Sequence, residues 1–371
     1  MRASPWLRDD FGDAVEEGTR GQRAVGDRVF SIGRCGARDI EDVIGFIARY
    51  WKADHALATC RSLIDWQHRD PDGRGYAFVV ARRRADHAVL GILGYISTRR
   101  FDAALDTDNV IWLTTWKVRD DAEIAGLGLL LLQYLTKTEP HVAIGAVGLN
   151  RATLPIYEAF GYRVGELQHY VRVNATARGF ELATLNSVSS PPLSNGAPLQ
   201  ARRLTQTEEF DALEWVPPAG RVPRKTPAYF RARYARHPVY AYLVIALLDR
   251  GAPAGLMAAR TAEHGRRRAL RIVDFLGSDD VLARIGPVVQ ALLEEVDAEY
   301  ADVYNAGTDC SVFARAGFRR IDPDGVEIVP DHFEPFERRN VRLWFSLKGL
   351  PHEVLFKGDA DQDRPNRVAI V

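Results

Sequence analysis

The residues best placed to do chemistry are Glu123-Ile-Ala-Gly126-Leu-Gly128, which run straight into Leu129–Leu132. They follow a β-rich run, Val110–Val118, in which Trp112, Thr114 and Trp116 alternate with Leu113, Thr115 and Lys117 as on a pleated strand. A strand, a glycine turn and a helix start in that order leave backbone N–H groups unpaired and aimed at one spot. The positive end of the helix dipole favours an anion there, and a phosphate or pyrophosphate is the natural guest. Glycine also serves such turns for conformational reasons alone, so the reading needs support from elsewhere in the chain.

That support lies downstream. A second strand-like run, Val142–Val147, ends at Asn150, and a short helix leads to Tyr157-Glu-Ala-Phe-Gly161-Tyr162. Together these residues resemble the GNAT superfamily of acyl-CoA-dependent N-acyltransferases, whose pattern is Q/R-x-x-G-x-G/A after a bulged strand, then an Asn, a helix bearing a Tyr, and Gly-Phe or Gly-Tyr. The resemblance covers about residues 28–185. It implies that acetyl-CoA or another acyl-CoA is the co-substrate, its pyrophosphate held by the amides of Ile124, Ala125, Gly126, Leu127 and Gly128. It also implies that Val118 contacts the cofactor, that Asn150 touches the pantetheine arm, and that Tyr157 protonates the departing thiolate. The first motif position departs from the pattern, being Glu123 rather than Gln or Arg. A carboxylate beside a pyrophosphate is repelled, and Lys117 and Arg119 are close enough in sequence to compensate.

The elements before the turn would cover the acceptor side of such a fold. Val29–Cys35 reads as a strand, Ile40, Val43, Ile44, Ile47 and Ala48 fall at helical spacing, and Ala56–His68 reads as a second helical piece. This region carries His55, Asp65, Trp66 and His68. His55 and Asp65 are candidates for binding the acceptor or taking the proton of its amine, against the plain alternative of an amphipathic helix with a packed Trp and solvated polar groups. Tyr76–Arg83 and Val89–Ser97 pair around a charged turn and lead into Val110–Val118.

The chain has 371 residues, 46% of them apolar, with Lys+Arg and Asp+Glu both 49. That length predicts more than one domain, and the balanced charge argues against a dedicated nucleic-acid binder. Cys35, Cys60 and Cys310 are far apart, which predicts neither a disulfide framework nor a metal site. No apolar run approaches a membrane span, so a soluble cytoplasmic protein is expected.

The expected division is a flexible leader at 1–24, an acyl-CoA-binding domain at 25–185, a linker at 186–199, a second domain at 200–350 and a polar tail at 351–371. The second half echoes the first, with strands at Tyr240–Leu248, Ala252–Arg260 and Ala269–Leu276, a helix at Val281–Tyr300 and a strand at Ala301–Ala306. Phe313-Ala-Arg-Ala-Gly317-Phe318-Arg matches Tyr157-Glu-Ala-Phe-Gly161-Tyr162-Arg in register. The expected fold is therefore α+β, two tandem GNAT-like domains, each a mixed and mostly antiparallel sheet flanked by helices. The second is degenerate, because Phe313 replaces the Tyr and Asp279-Asp280 occupy the phosphate turn.

The basic stretch Arg221, Arg224, Lys225, Arg231, Arg233, Arg236 and His237 reads as a solvated face over packed aromatics or as an anchor for acceptor phosphates. The tail Asp359-Ala-Asp361-Gln-Asp363-Arg-Pro-Asn366 reads as solvated or folded back, and its D-x-D-x-D lacks the Gly and Glu of a calcium loop. The expected reaction is acyl transfer to a small amine, such as a nucleotide-linked amino sugar. That acceptor follows from a resemblance to bacterial tandem-GNAT proteins of surface-polysaccharide synthesis. The alternatives are an aminoacyl-tRNA-dependent transferase of the peptidoglycan-bridge type and a non-catalytic scaffold.

Overall fold

The computed structural model describes residues 29–177, 179–186, 196–218, 220–349 and 351–366. The expected leader lies outside them, as do residues 187–195 of the expected linker.

The first half runs β1 (Phe30–Gly36), α1 (Ile40–Tyr50), α2 (Ala56–Thr59), α3 (Arg61–His68), β2 (Gly75–Arg83), β3 (Val89–Ser97) and β4 (Val110–Val118). It continues with α4 (Leu127–Thr138), β5 (Ala143–Leu149), α5 (Leu154–Ala159) and β6 (Arg163–Val173). Strands β1 to β4 form an antiparallel meander, and β5 returns parallel to β4 after the α4 crossover. The apolar stripes of α1 to α3 cover one face of β1 to β3, burying Val43, Ile47, Leu57, Leu63 and Ile64. Helices α4 and α5 cover the other face through Leu127, Leu131, Leu132, Leu135 and Tyr157.

The second half runs β7 (Gln200–Leu204), α6 (Thr207–Asp211), α7 (Pro227–Phe230), β8 (Leu243–Asp249), β9 (Ala252–His264), β10 (Arg267–Gly277), α8 (Asp279–Leu282), α9 (Gly286–Glu295) and β11 (Ala298–Ala306). Then follow α10 (Cys310–Arg315), β12 (Arg319–Arg320), the hairpin β13 (His332–Phe333) with β14 (Phe336–Glu337), β15 (Leu343–Gly349) and β16 (Leu355–Phe356). Again a meander, β7 to β10, precedes a strand, β11, that returns parallel.

Two separate sheets were expected, and the structure corrects this to one mixed sheet of 14 strands. The cause is an exchange of strands between the halves. Arg163–Leu167 of β6 pair with β15, which comes from the C-terminal end and inserts between β5 and β6. The remainder of β6, Gln168–Val173, pairs with β11. An 11-residue strand is long enough to serve both neighbours in turn, and its hydrogen bonds join the halves edge to edge.

The buried leucines of α4 face its own strands, and Leu129 is 40% exposed. One helical expectation changes. The helix expected over Val281–Tyr300 divides into α8 and α9, with Pro287 starting the second, and ends at Glu295 so that Ala298–Tyr300 join β11.

Candidate functional site

Strand β4 is bulged. Tyr95 pairs with Leu113 and Leu93 with Trp116, so β4 carries one residue more than β3 around Thr114–Thr115. A bulge bends its strand and turns the following side chains to the other face. Ile111 and Leu113 before it, and Trp116 and Val118 after it, accordingly share the layer under α4. Beside the bulge β4 leaves its parallel neighbour, since the pairing with β5 covers only Val110–Trp112 against Ala143–Gly145. Beyond it the strands diverge into an open V. The hydroxyls of Thr114 and Thr115 are buried at the bulge with no hydrogen-bond partner among the described residues.

The turn after β4 has the conformation its glycines suggest. Gly126 caps α4 at φ +72°, in the left-handed region, with nothing within 4 Å of where a β-carbon would stand. Among the described residues, the amides of Ile124, Ala125, Gly126, Gly128 and Leu129 make no hydrogen bond. Leu127 is different, for its amide donates to the Ile124 carbonyl at 3.4 Å, and its buried side chain anchors the helix. The free amides lie at the positive end of a 12-residue helix and suit an anion.

The nearby side chains do not strengthen that preference. Lys117 pairs with Asp120 at 3.0 Å, and Arg119 grips Asp121 through two bonds of 2.6 and 2.8 Å. The cations expected to offset Glu123 are therefore already engaged. Glu123 itself is exposed and takes a positive φ of 52°. An anion here would be held by backbone dipoles.

Tyr157 lies across the V from β4. Its ring meets Trp116 at 6.4 Å and Tyr162 at 5.3 Å, both edge to face. Its hydroxyl has no hydrogen-bond partner among the described residues, and burial pushes its pKa up to about 12. The phenol is thus protonated at neutral pH, the form a proton donor requires. Trp116 also comes close to the turn, since a β-carbon on Gly128 would stand 3.2 Å from its indole nitrogen. Val118 pairs with Gly91 at the end of β4. Asn150 is exposed, and its side chain accepts from the Ala152 amide at 3.0 Å, fixing the turn into α5.

His55 and Asp65 occupy other places. Nδ1 of His55 accepts from the Leu57 amide at 3.2 Å and caps α2, so the ring proton sits on Nε2. Burial, then the charges of Arg364 and Lys52, lower its pKa to about 3. With its lone pair used and its cation disfavoured, His55 is unsuited to take a proton from an amine. Asp65 accepts from Tyr76 Oη at 2.6 Å and Arg61 Nε at 2.9 Å, and Arg61 also reaches Glu41. No contact joins either residue to Tyr157.

The sequence did not reveal what the polar tail does. The strands β10 and β11 repeat the arrangement of β4 and β5. A bulge falls between Ile272 and Asp274, and the parallel pairing stops at Ile272 with Val303. The opening is filled by the chain's own C-terminal segment. β16 pairs with Asn305 and Ala306, and the Gly358 amide donates to the Val273 carbonyl at 2.9 Å. The tail is folded back and buried. Lys225 lies between Asp274 and Asp359 at 2.5 and 2.7 Å, Arg260 holds Asp363 at 2.8 and 2.9 Å, and Arg233 donates to the Gly358 and Ala360 carbonyls. Each aspartate of the D-x-D-x-D run has a cation, Asp361 pairing with Arg364 at 3.2 Å.

The basic stretch is used in the same way. Arg221 pairs with Asp279, Arg224 with Asp108 and Arg231 with Asp211. One residue of this tail also lies near the first V. Gln362 lies against Gly148 of β5, where any β-carbon would collide with its side-chain amide. Arg364 lines a water-sized cavity of about 10 Å³ with Trp66, Gln67, Arg233 and Tyr242.

No family model and no curated protein matches this sequence. Among solved structures, the chain is similar to a GCN5-related N-acetyltransferase from Anabaena variabilis, at 11% identity and TM-score 0.49, over 86% of this chain and 72% of that one. It is similar to a putative acetyltransferase from Pyrococcus horikoshii at 9% identity and TM-score 0.45, over 88% and 91% of the two chains. A third similar structure is Saccharomyces cerevisiae N-myristoyltransferase with bound myristoyl-CoA, at 9% identity and TM-score 0.45, over 88% and 84%. At such distances the functional reading stands on the geometry of this chain. Among the described residues no helix is long and apolar enough to cross a membrane.

Proposed function

We propose that the protein is an acyl-CoA-dependent N-acyltransferase with a single donor site, in the V between β4 and β5. The observation that carries this reading is the conjunction at one place of a bulged strand, a diverging parallel neighbour and a glycine turn whose amides are unpaired at the start of α4. The amides of Ile124, Ala125, Gly126, Gly128 and Leu129 would hold the donor's pyrophosphate. The orphaned hydroxyls of Thr114 and Thr115 offer polar groups beside its pantetheine arm. The donor supplies an activated thioester; a neutral amine attacks its carbonyl carbon, and Tyr157 gives its proton to the sulfur that leaves. The repeated strand order, bulge and divergence support reading the chain as a tandem pair with exchanged strands. The second opening, filled by Leu355–Asp359, has no room for a donor.

The amine proton returns through water to Tyr157 in this scheme, since His55 and Asp65 are otherwise engaged. The aminoacyl-tRNA alternative would draw on the basic stretch, of which Arg221, Arg224, Lys225 and Arg231 are paired with aspartates. A non-catalytic binding role draws on the acids Asp120, Asp121 and Glu123 around the turn.

Calorimetric titration of the full chain with acetyl-CoA tests the proposal, beside a Gly126→Trp variant that blocks the turn. Binding to the parent that vanishes in the variant is expected. Absence of binding to the parent would leave the non-catalytic reading in its place.

A further inference from the structure

The cavity lined by Trp66, Arg233 and Arg364 is where the two halves of the chain meet the tail. Trp66 stands on α3, Arg233 on the helical turn Arg231–Ala235, and Asp361, Asp363 and Arg364 follow β16. Its volume of about 10 Å³ is room for one water-sized atom.

Arg233 is 5% exposed, yet it meets no carboxylate at ion-pair distance among the described residues. Its Nη2 donates to the carbonyls of Gly358 and Ala360, and its Nη1 is buried without a partner. The guanidinium carbon lies 5.0 Å from the ring centres of both Trp66 and Phe101, so the group is held between aromatic faces. The acids nearby are already engaged. Asp363 is gripped by Arg260 and accepts from Tyr242, Asp361 takes Nε of Arg364, and Asp274 and Asp359 close on Lys225.

The other donors around the cavity are spent as well. The Trp66 indole donates to the Ala232 carbonyl, and the Tyr234 hydroxyl to Asp274. Two guanidinium groups are left with hydrogens to give: Arg233 through Nη1, and Arg364, whose terminal nitrogens make no bond among the described residues. A buried charge is ordinarily met by an opposite charge, and a buried donor by an acceptor. A water here would accept a hydrogen and leave the charge of Arg233 unanswered.

We propose that this cavity is an anion site, in which Arg233 and Arg364 hold one monovalent anion against Trp66. The guest places a single atom in the cavity, either a halide ion or one oxygen of a carboxylate. It ties α3 to the second half and to the tail, whose Gln362 lies against Gly148 of β5.

The test is thermal unfolding of the full chain in rising sodium bromide and, separately, sodium acetate, with the difference between parent and variant as the readout so that general salt effects cancel. An anion that binds is expected to raise the melting temperature saturably, by about 3 °C at a hundredfold excess over its Kd. Arg233→Lys keeps the positive charge and a donor for the tail carbonyls but loses the forked edge, and should move saturation to about tenfold higher concentration. Arg364→Gln should move it several-fold. Saturation with bromide assigns the place to a free halide, and saturation with acetate alone assigns it to a carboxylate. Anomalous diffraction from crystals grown in bromide gives a second reading, with a peak within hydrogen-bond reach of Arg233 expected for the halide. A rise that never saturates, or one that is the same in the parent and in either variant, overturns the site. So does an ordered water beside Arg233 in crystals grown in bromide and in acetate alike.

Discussion

Gly358 donates its amide hydrogen to the carbonyl of Val273 at 2.9 Å, and this bond seats the C-terminal segment in the opening between β10 and β11. The fit leaves no space for a side chain, since a β-carbon on Gly358 would stand 2.6 Å from Tyr234 Oη and 2.8 Å from the Val273 carbonyl oxygen. Gly358→Ala is therefore expected to destabilise the fold by about 1–3 kcal/mol, the usual range for overpacking. Chemical denaturation measures this. A variant as stable as the parent would mean that the segment is not held there.

Much of the first half is legible in the sequence, for physical reasons. Strand alternation in Val110–Val118 and the Gly126 turn are local properties, and β4 and α4 form where that local pattern puts them. The strand exchange is not local. Nothing in Leu343–Gly349 says that it pairs with β5 and β6 rather than with β12, because any apolar strand satisfies either neighbour. The tail is a related case. Asp359, Asp361 and Asp363 read in sequence as solvated or folded back, and only the fold brings Lys225, Arg260 and Arg364 to them. His55 reads in sequence as a candidate for binding the acceptor or taking its proton, and the fold commits its Nδ1 lone pair to the cap of α2.

Glu123 sets the sign of the second prediction. The turn carries Lys117 and Arg119 against Asp120, Asp121 and Glu123, and both cations are paired. Removing the unpaired carboxylate in Glu123→Gln should tighten acetyl-CoA binding by about two- to tenfold at low salt, and by less at high salt as the charge is screened. Calorimetric titration at two ionic strengths measures both. Weaker binding in the variant would show instead that Glu123 orders the turn through its backbone at φ 52°.

Tyr157 separates chemistry from packing. Its ring is held by Trp116 and Tyr162, whereas its hydroxyl has no partner among the described residues. Tyr157→Phe should leave the melting temperature nearly unchanged and lower kcat by about a hundredfold or more, the yield of a positioned proton donor. Single-turnover acyl transfer to an accepted amine is the assay. Turnover equal to the parent's would remove Tyr157 as the acid and pass the proton to water.

Acid should weaken the fold through its histidines before most carboxylates titrate. Burial lowers His55, His68 and His237 to about 3, each further depressed by a neighbouring arginine, Arg364, Arg100 and Arg233 respectively. A histidine of ordinary pKa near 6.5 binds a proton in the unfolded chain over a range where these three remain neutral in the folded one. The unfolded state then binds more protons, so stability is complete above about pH 6.5 and falls as pH drops towards 3. His237 offers a clean test, since its Nδ1 accepts from the Val239 and Tyr240 amides at 3.1 and 2.9 Å. Asparagine can accept from the same amides without titrating. His237→Asn should flatten the fall of melting temperature between pH 6.5 and 4 by about one proton's share. An unchanged slope would mean that His237 is already protonated in the folded protein, its charge offset by that of Asp363.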